Sequence, residues 1–284
     1  MRHDRLPMAP TGRIANLGSS ILPSALARWD PAIHAEEDTG ENIVNVLDPI
    51  GYDPWTGGGV TARSVSAALK SFDKAPVTVV INSPGGDMFE GFAIYNLLRD
   101  YQGDVTTKVI GVAASAASII AMGGNTGQIA RAGFIMIHNA WVVAMGNRND
   151  LRDYADVLEP FDRAMADIYA ARTGLDIDAT ANMMDKETWI GGADAVKQNF
   201  ADELLSSDTV VKGNDEDTKA RAAAYKLDAA LARAGIARAE RRDILKDYVA
   251  GMHRAADDDH GMHCASDSPF SGLQIHSPFE ETVS

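Results

Sequence analysis

The chain has 284 residues, of which 45% are hydrophobic and 23% charged, enough apolar material for a sizeable core, so wholesale disorder is excluded. With 40 acidic against 26 basic residues the net charge is −14, which excludes general nucleic-acid binding as an expected role. The single cysteine, Cys264, excludes an intrachain disulfide framework. The longest nearly apolar run, Val109 to Met122, is too short to span a bilayer, and the N-terminus has no continuous apolar signal segment. We therefore expect a cytoplasmic protein without a membrane partner.

Short apolar strands alternate with helical segments through the middle of the chain. Residues 1–41 contain scattered prolines and polar residues, a composition typical of an extended arm. Strands are predicted at residues 42–50, 77–82, 105–114 and 134–138, with helices after the first three of them. Strands that are apolar throughout and alternate with helices predict an α/β fold with a largely parallel sheet.

The clearest amphipathic helix is predicted at residues 150–171. Apolar side chains recur there every three or four residues, and Pro160 predicts a kink or a division of the helix. A further helix at 194–199 and a short strand near 201–205 complete the predicted domain, residues 42–205. Residues 206–284 are predicted to form a polar linker at 213–219, a basic helical extension and a disordered polar tail.

Three short motifs carry the residue types that catalysis needs. They are NSPGGD (Asn82–Asp87), GVAASAAS (Gly111–Ser118) and MIHN (Met136–Asn139). Each alone is ambiguous, because a Pro-Gly-Gly turn, a serine at a helix start and a histidine after a strand are often purely structural. All three, however, lie at the C-terminal end of a predicted parallel strand, the edge at which open α/β sheets bind ligands.

Together the motifs supply the parts of an acyl-transfer site. Ser115 precedes a predicted helix, whose first N–H groups can receive negative charge. The pair Gly85–Gly86 offers further N–H groups with no side chain in front of them. His138 supplies a base whose ordinary pKa is close to neutral pH. A nucleophile, a base and oxyanion donors are the elements of acyl transfer.

With these motifs, residues 43–205 resemble the Clp protease family of serine peptidases. The resemblance implies Ser115 as nucleophile, His138 as base, and the N–H groups of Gly86 and Ala116 as the oxyanion hole. It implies that the glycine-rich segment aligns the substrate, with Gly85, Gly86, Asp87 and Met88 as binding residues. No metal and no organic cofactor is implied. The implied fold is a crotonase-like superhelix of ββα units, assembled into homo-oligomeric rings. The helix at 150–171 would then make the contact between rings, and the alternative is a helix packed on its own domain.

The third member of the triad has two candidates in the sequence. The family usually carries an Asp about fifty residues after the histidine, and Glu187 lies 49 residues after His138. Asp185 is two positions away, and on an extended segment it would point the same way as Glu187. We favour Glu187, because it is in register with the family pattern in DAVKQNFAD (Asp194–Asp202). The alternative is that Glu187 caps or pairs with the neighbouring helix.

Softer features resemble one branch of the family, the phage head maturation proteases. They are IGYDPWTGGGVTA (Ile50–Ala62), DKETW (Asp185–Trp189) and the helical extension. This branch implies an ATP-independent endopeptidase that processes capsid or scaffold proteins in the host cytoplasm. The alternatives are a housekeeping Clp proteolytic subunit that works with a Clp ATPase, and a non-catalytic capsid scaffold protein of the same fold.

Two segments of the C-terminal extension contain residue types that bind ligands, but other roles are favoured for both. DDDHGMHC (Asp257–Cys264) has metal-ligand residue types but no second cluster, so a solvated acidic tail is favoured. The basic helical sequence at 219–254 predicts a protein partner or self-association rather than nucleic acid, given the acidic chain around it.

Overall fold

A computed structural model describes residues 21–35, 42–51, 59–142, 144–205, 210–212, 223–228, 230–231, 234, 236 and 240–247. The chain divides into two compact units, Met1–Leu245 and Lys246–Ser284, and every element named below belongs to the first. The predicted linker at 213–219, the acidic segment at 257–264 and most of the 50–62 motif lie outside the described residues.

Seven helices and nine strands are named here, and residues 223–228, 230–231 and 240–247 are helical as well. The helices are α1 (Pro23–Arg28), α2 (Ala62–Ser71), α3 (Met88–Asp100), α4 (Ala116–Ala121), α5 (Arg148–Thr173), α6 (Ile177–Asp185) and α7 (Gly192–Lys197). The strands are β1 (Ile33–Ala35), β2 (Ile43–Val46), β3 (Val77–Ser83), β4 (Val105–Ala114), β5 (Thr126–Ile129), β6 (Phe134–Ile137), β7 (Thr188–Gly191), β8 (Glu203–Leu204) and β9 (Val210–Lys212).

A seven-stranded sheet organises the molecule. Strands β2, β3, β4, β5 and β8 follow one another in parallel, β6 is parallel to β4, and β7 is antiparallel to β6. The predicted α/β fold with a largely parallel sheet is confirmed. The long strand β4 pairs with β5 over Thr106–Val109 and with β6 over Val112–Ala114. The ends of β4 and β6 therefore lie side by side.

A bulge at Asn82 interrupts the regular pairing of β3 with β4 just before the glycine turn. The β3–β4 register shifts between Ile81 and Ser83, and the Asn82 side chain takes over the interrupted pairing. Its Oδ1 accepts the N–H of Val112 at 3.1 Å. Gly111 faces this amide, and a Cβ there would lie 2.5 Å from Asn82 Oδ1. The bulge re-aims the strand end towards the start of α4.

Helix α5 is packed on the domain by its C-terminal half only. Met165, Ala166, Tyr169 and Thr173 are buried, whereas no residue from Arg148 to Ala164 of this helix is classed as buried. The helix continues through Pro160, so the predicted division does not occur. Pro160 and Asp156, whose carbonyl loses its helical donor, are both exposed, and water can satisfy that carbonyl.

The N-terminal segment is more ordered than its composition predicts. Pro23 occupies the first turn of α1, where a missing N–H costs nothing, and Ala25 and Leu26 are buried. Trp29 is also buried and packs edge-on against Tyr225, with ring centroids 5.7 Å apart. Strand β1 pairs with β9, so residues assigned to the arm and to the extension form one small sheet.

Candidate active site

Ser115 sits in a strained turn between β4 and α4. Its backbone has φ 56° and ψ −125°, a conformation that costs a residue with a side chain roughly 1–3 kcal/mol. Its N–H donates to the carbonyl of Met136 at 2.9 Å, which ties the turn to β6. The hydroxyl makes no capping hydrogen bond to α4. It therefore stays available for chemistry at the end of the strand.

His138 follows β6 directly and faces Ser115. The pairing of Ala114 with Met136 places the two strand ends level. His138 Nε2 lies 2.8 Å from Ser115 Oγ, which is hydrogen-bond distance. Burial lowers the pKa of His138, while the charge of Glu187 and a hydrogen bond with the backbone of Asn139 oppose this. At neutral pH the imidazole is therefore neutral and able to accept a proton.

The glycine turn after β3 lies against the serine. Gly86 has φ 148°, and a Cβ there would meet the carbonyl oxygen of Ile50 at 2.2 Å, so only glycine fits. Ile50 bonds to the carbonyl of Gly85 and the N–H of Asp87, so the N–H of Gly86 points to the other side. Ala116 is the first residue of α4, and its N–H has no acceptor within the helix. Gly86 and Ala116 both line the cavity that holds Ser115.

The other predicted substrate-binding residues divide into two kinds. Met88 lines the cavity together with Gly86. Asp87 instead caps α3, accepting the N–H groups of Phe89 at 2.8 Å and Glu90 at 3.1 Å. The N–H of Gly85 donates to Ser83 Oγ at 3.3 Å. Gly85 and Asp87 thus shape the turn, and a direct contact of either with substrate stays a prediction.

The two candidate acids point to different partners. Asp185 ends α6 and accepts the side-chain amide of Asn139 at 2.7 Å. Glu187 has φ 49°, so the segment is not extended, and the condition under which both carboxylates would point the same way is not met. Glu187 acts electrostatically on His138 and accepts the indole N–H of Trp189 at 3.2 Å.

An apolar cavity opens beside the serine. The cavity and the open solvent space at its mouth together measure about 570 Å³. Its lining beyond the catalytic groups is mostly apolar: Met88, Phe89, Ile119, Leu158, Phe161 and Met165. Phe89 and Phe161 meet edge to face at 5.2 Å, which joins α3 to α5 across the cavity. Such a pocket fits an apolar side chain of a bound peptide.

Two buried hydroxyl groups behind Ser115 form a chain of hydrogen bonds that the sequence does not predict. Ser118 Oγ donates to the carbonyl of Ser115 at 2.6 Å. Since a serine has one hydroxyl proton, the Tyr169 hydroxyl donates to Ser118 Oγ, 2.8 Å away. Burial raises the pKa of Tyr169 far above its ordinary value, so it stays a donor. Ser118 lay within the serine motif, but nothing in the sequence paired it with Tyr169.

A second unanticipated contact fixes the loop after the histidine. Asp162 of α5 accepts the N–H of Ala140 at 2.6 Å. Burial raises the pKa of Asp162, the Ala140 N–H opposes this, and the charges of Asp185 and Glu159 add to the rise. Among the described residues, no group of three His, Cys, Asp or Glu side chains is placed to hold a metal ion.

The mostly parallel sheet brings a serine, a histidine and backbone N–H groups to one strand edge, an arrangement that resembles the sites of serine hydrolases. The Clp protease family profile matches residues 61–208, about half of the chain. The chain belongs to the Clp protease family, a family of serine peptidases. No helix in the described part of the chain combines the length and the apolar character that crossing a membrane requires.

Three curated relatives illustrate the extent of the match. The ATP-dependent Clp protease proteolytic subunit of Pleurastrum terricola is 34% identical over 134 residues, 46% of this chain and 67% of that protein. Subunit 1 of Streptomyces coelicolor is 25% identical over 215 residues, 72% of this chain and 94% of that protein. Subunit 1 of Salinibacter ruber is 26% identical over 133 residues, 46% of this chain and 57% of that protein, less than two thirds of its length.

Proposed function

We propose that the protein is a serine endopeptidase with Ser115 as nucleophile and His138 as base. The 2.8 Å contact between Ser115 Oγ and His138 Nε2 carries the proposal. Ser115 Oγ attacks the peptide carbonyl carbon as its proton passes to Nε2. His138 then protonates the leaving amine, and a water molecule, deprotonated by His138, releases the acyl group from Ser115.

The oxyanion of the tetrahedral intermediate is assigned to the N–H groups of Gly86 and Ala116. Gly86 and Ala116 both line the cavity at Ser115, and a backbone N–H donates without any movement of a side chain. Loss of one such donor generally costs about 3–4 kcal/mol of transition-state stabilisation. We assign Glu187 as the acid that stabilises the imidazolium, because its charge acts on His138 while Asp185 is engaged by Asn139.

The substrate is proposed to be a protein or peptide with an apolar residue next to the scissile bond. The apolar cavity beside Ser115 supports this choice, since it would leave a charged side chain unpaired. The enzyme needs no metal or organic cofactor in this mechanism. We propose that it acts in the cytoplasm as a homo-oligomer.

The relatives' names favour one cellular role, a proteolytic subunit that works with a Clp ATPase. The second candidate is ATP-independent processing of phage capsid or scaffold proteins. Its basis is the resemblance of the sequence at Ile50–Ala62 and Asp185–Trp189, together with the helical extension. A non-catalytic scaffold role is disfavoured by the contact between Ser115 and His138.

Hydrolysis of short fluorogenic peptides tests the activity. Wild type should cleave a peptide with Leu or Met before the bond faster than the same peptide with Asp, and Ser115→Ala should be inactive. A fluorophosphonate should label wild type and not Ser115→Ala. No cleavage and no labelling of the assembled protein would favour the scaffold role.

The two cellular roles are separated by their need for ATP. A folded protein substrate degraded only with a Clp ATPase and ATP supports the first role. Co-expression with capsid and scaffold genes, followed by intact mass measurement, tests the second role. Defined cleavage products with wild type and none with Ser115→Ala would support it.

A further inference from the structure

Trp189 lies between the catalytic acid and the N-terminal segment. In β7 it is the register partner of Met136 in β6, two residues before His138. Its indole N–H donates to Glu187 Oε1 at 3.2 Å. A carboxylate has two oxygens, so this bond leaves the other oxygen for the imidazole. The contact also restrains a residue whose backbone, at φ 49°, is in a region that non-glycine residues seldom occupy.

Helix α1 covers this indole with one of its faces. Leu22, Ala25 and Arg28 are spaced three residues apart, which places them on the same side of the chain. Leu22, Ala25 and Trp189 belong to one apolar cluster, which also contains Met136 and two residues of β4. Arg28 completes the cover, with its guanidinium carbon 4.4 Å from the centre of the indole ring.

The remaining edge of the indole is also occupied. Phe134, on the strand next to β7, meets Trp189 edge to face with ring centroids 6.5 Å apart. Aromatic and cation–π contacts of this kind fix the plane of a ring. The direction of the N–H follows from that plane, so the position of Glu187 depends on the packing of α1.

The segment that carries α1 is itself anchored to the strands of the active site. Trp29 donates its indole N–H to the carbonyl of Asn82 at 2.9 Å. The side-chain amide of Asn82 donates to the carbonyls of Asp30 at 2.8 Å and Ile33 at 3.1 Å. Asn82 therefore joins the N-terminal segment to β3 at the turn that supplies Gly86.

We propose that Trp189 is a positioning residue for the triad acid, and that helix α1, through Arg28, is part of the catalytic support. The proposal rests on the proposed peptidase function and on Glu187 as its acid. It makes the N-terminal segment a requirement for full activity rather than an appendage. Trp189 acts through Glu187 and does not touch the reacting atoms.

Trp189→Phe tests the proposal, because it removes the N–H and keeps a ring for Arg28 and Phe134. We expect kcat for a fluorogenic peptide to fall roughly 10–100-fold, the effect of losing a hydrogen bond to a charged group, with KM within about twofold. When Trp189→Phe is combined with Glu187→Gln, kcat should fall little further than in Glu187→Gln alone, because the two residues act as one unit.

The pH profile separates positioning from general structural damage. Glu187 faces His138. The next two loop residues, Asn139 and Ala140, donate hydrogen bonds to Asp185 and Asp162 respectively. Arg28 faces the indole of Trp189. Displacing Glu187 removes the charge that raises the pKa of His138. The acid limb of kcat/KM should therefore move to lower pH in Trp189→Phe. A limb that stays in place or moves to higher pH would overturn the proposal.

Arg28→Gln provides an independent measurement if Trp189→Phe does not fold. It should lower kcat roughly 2–5-fold, in line with the loss of an exposed cation–π contact, and shift the acid limb in the same direction. Arg63→Gln, a change of the same kind on exposed α2, is the control and should leave both unchanged. Unchanged kinetics in Arg28→Gln would show that α1 does not contribute to the positioning of Glu187.

Failure of this proposal differs from failure of the proposed function. If Ser115→Ala is inactive and Trp189→Phe behaves as wild type, the peptidase stands and the positioning role is wrong. If Ser115→Ala keeps its activity, the peptidase mechanism itself is wrong, and the role of Trp189 fails with it.

Discussion

Ser115 combines a reactive side chain with an unfavourable backbone conformation. At φ 56° and ψ −125° a Cβ is strained whether the residue is serine or alanine, whereas glycine is not. The hydrogen bond from its N–H to Met136 and the Ser118 hydroxyl on its carbonyl hold the turn from both sides. The site is therefore maintained at a cost in stability.

Two substitutions at Ser115 separate its chemical role from its backbone strain. Ser115→Ala and Ser115→Gly should both abolish peptide hydrolysis. Ser115→Gly should unfold at a higher temperature than Ser115→Ala, by about 2–4 °C for roughly 1 kcal/mol of relieved strain. Thermal unfolding and a peptide assay on the same preparations check both statements. Substantial hydrolysis by either variant would contradict the nucleophile assignment.

The choice between Glu187 and Asp185 follows from what each carboxylate contacts. Glu187→Gln should lower kcat roughly 10³–10⁴-fold, because a neutral amide no longer stabilises the imidazolium. It should also shift the acid limb of kcat/KM to lower pH, because the Glu187 charge raises the pKa of His138. Asp185→Asn should stay within about tenfold of wild type, since it keeps an oxygen for Asn139. The reverse ranking would assign the acid to Asp185.

At the scale of elements, the sequence predicted those features that depend on periodicity or on strand ends. The run at 105–114 matches β4 residue for residue, and α5 extends its predicted range by two residues at each end. The proximity of Ser115 and His138 was predictable because carboxyl ends of parallel strands share one edge. The sequence does not predict α1, because the scattered prolines of residues 1–41 are typical of an extended arm, whereas Pro23 stands in the first turn of a helix.

The supporting contacts could not be predicted, for a different physical reason. Tyr169 lies 51 residues from Ser118, and Asp162 lies 22 residues from Ala140. Each pair depends on how α5 is rotated against the sheet, and periodicity gives only the buried face of a helix. The contact of Trp189 with Glu187 is local, but it requires the left-handed backbone of Glu187, which no residue type there indicates.

Helix α5 is joined to the histidine loop by a carboxylate whose ionisation is unfavourable. The folded-state pKa of Asp162 is raised, chiefly by burial, so ionisation above that pKa destabilises the fold. Asp162→Asn keeps an acceptor for Ala140 and removes the charge. It should raise the apparent Tm at pH 7.5 by up to about 2 °C, with a smaller gain near pH 4, where Asp162 is increasingly protonated.

Asp153→Asn is the matched control for this measurement, because Asp153 is exposed on the same helix. Asp153→Asn should leave the difference in Tm between pH 7.5 and pH 4 the same as in wild type. A lower Tm of Asp162→Asn at pH 7.5 would show that the charge strengthens the bond to Ala140 by more than burial costs.

At the scale of the whole molecule, residues that precede the segment matched by the family profile contact residues that follow it. Strand β1 pairs with β9, and Trp29 packs on Tyr225. The boundary predicted after residue 205 therefore separates β9 from its partner strand. A tryptic cut at Lys212 or Lys219 would keep β9 with β1 but would separate Tyr225 from Trp29, whereas the compact unit extends to Leu245.

The N-terminal half of α5 predicts that the protein self-associates. Leu151 in this half is 47% exposed, and Met145, three residues before the helix begins, is 90% exposed, although both are apolar. Exposed apolar side chains this close together in the chain indicate a contact surface. We expect sedimentation velocity at micromolar concentration to show a species several times larger than the 30.3 kDa chain. Leu151→Asp should shift the distribution towards smaller species, because it places a charge in that contact.

Asn149→Asp adds the same charge at another exposed position of α5 and should change the distribution less. A single 30.3 kDa species for wild type would show that this half of α5 has no partner copy under these conditions.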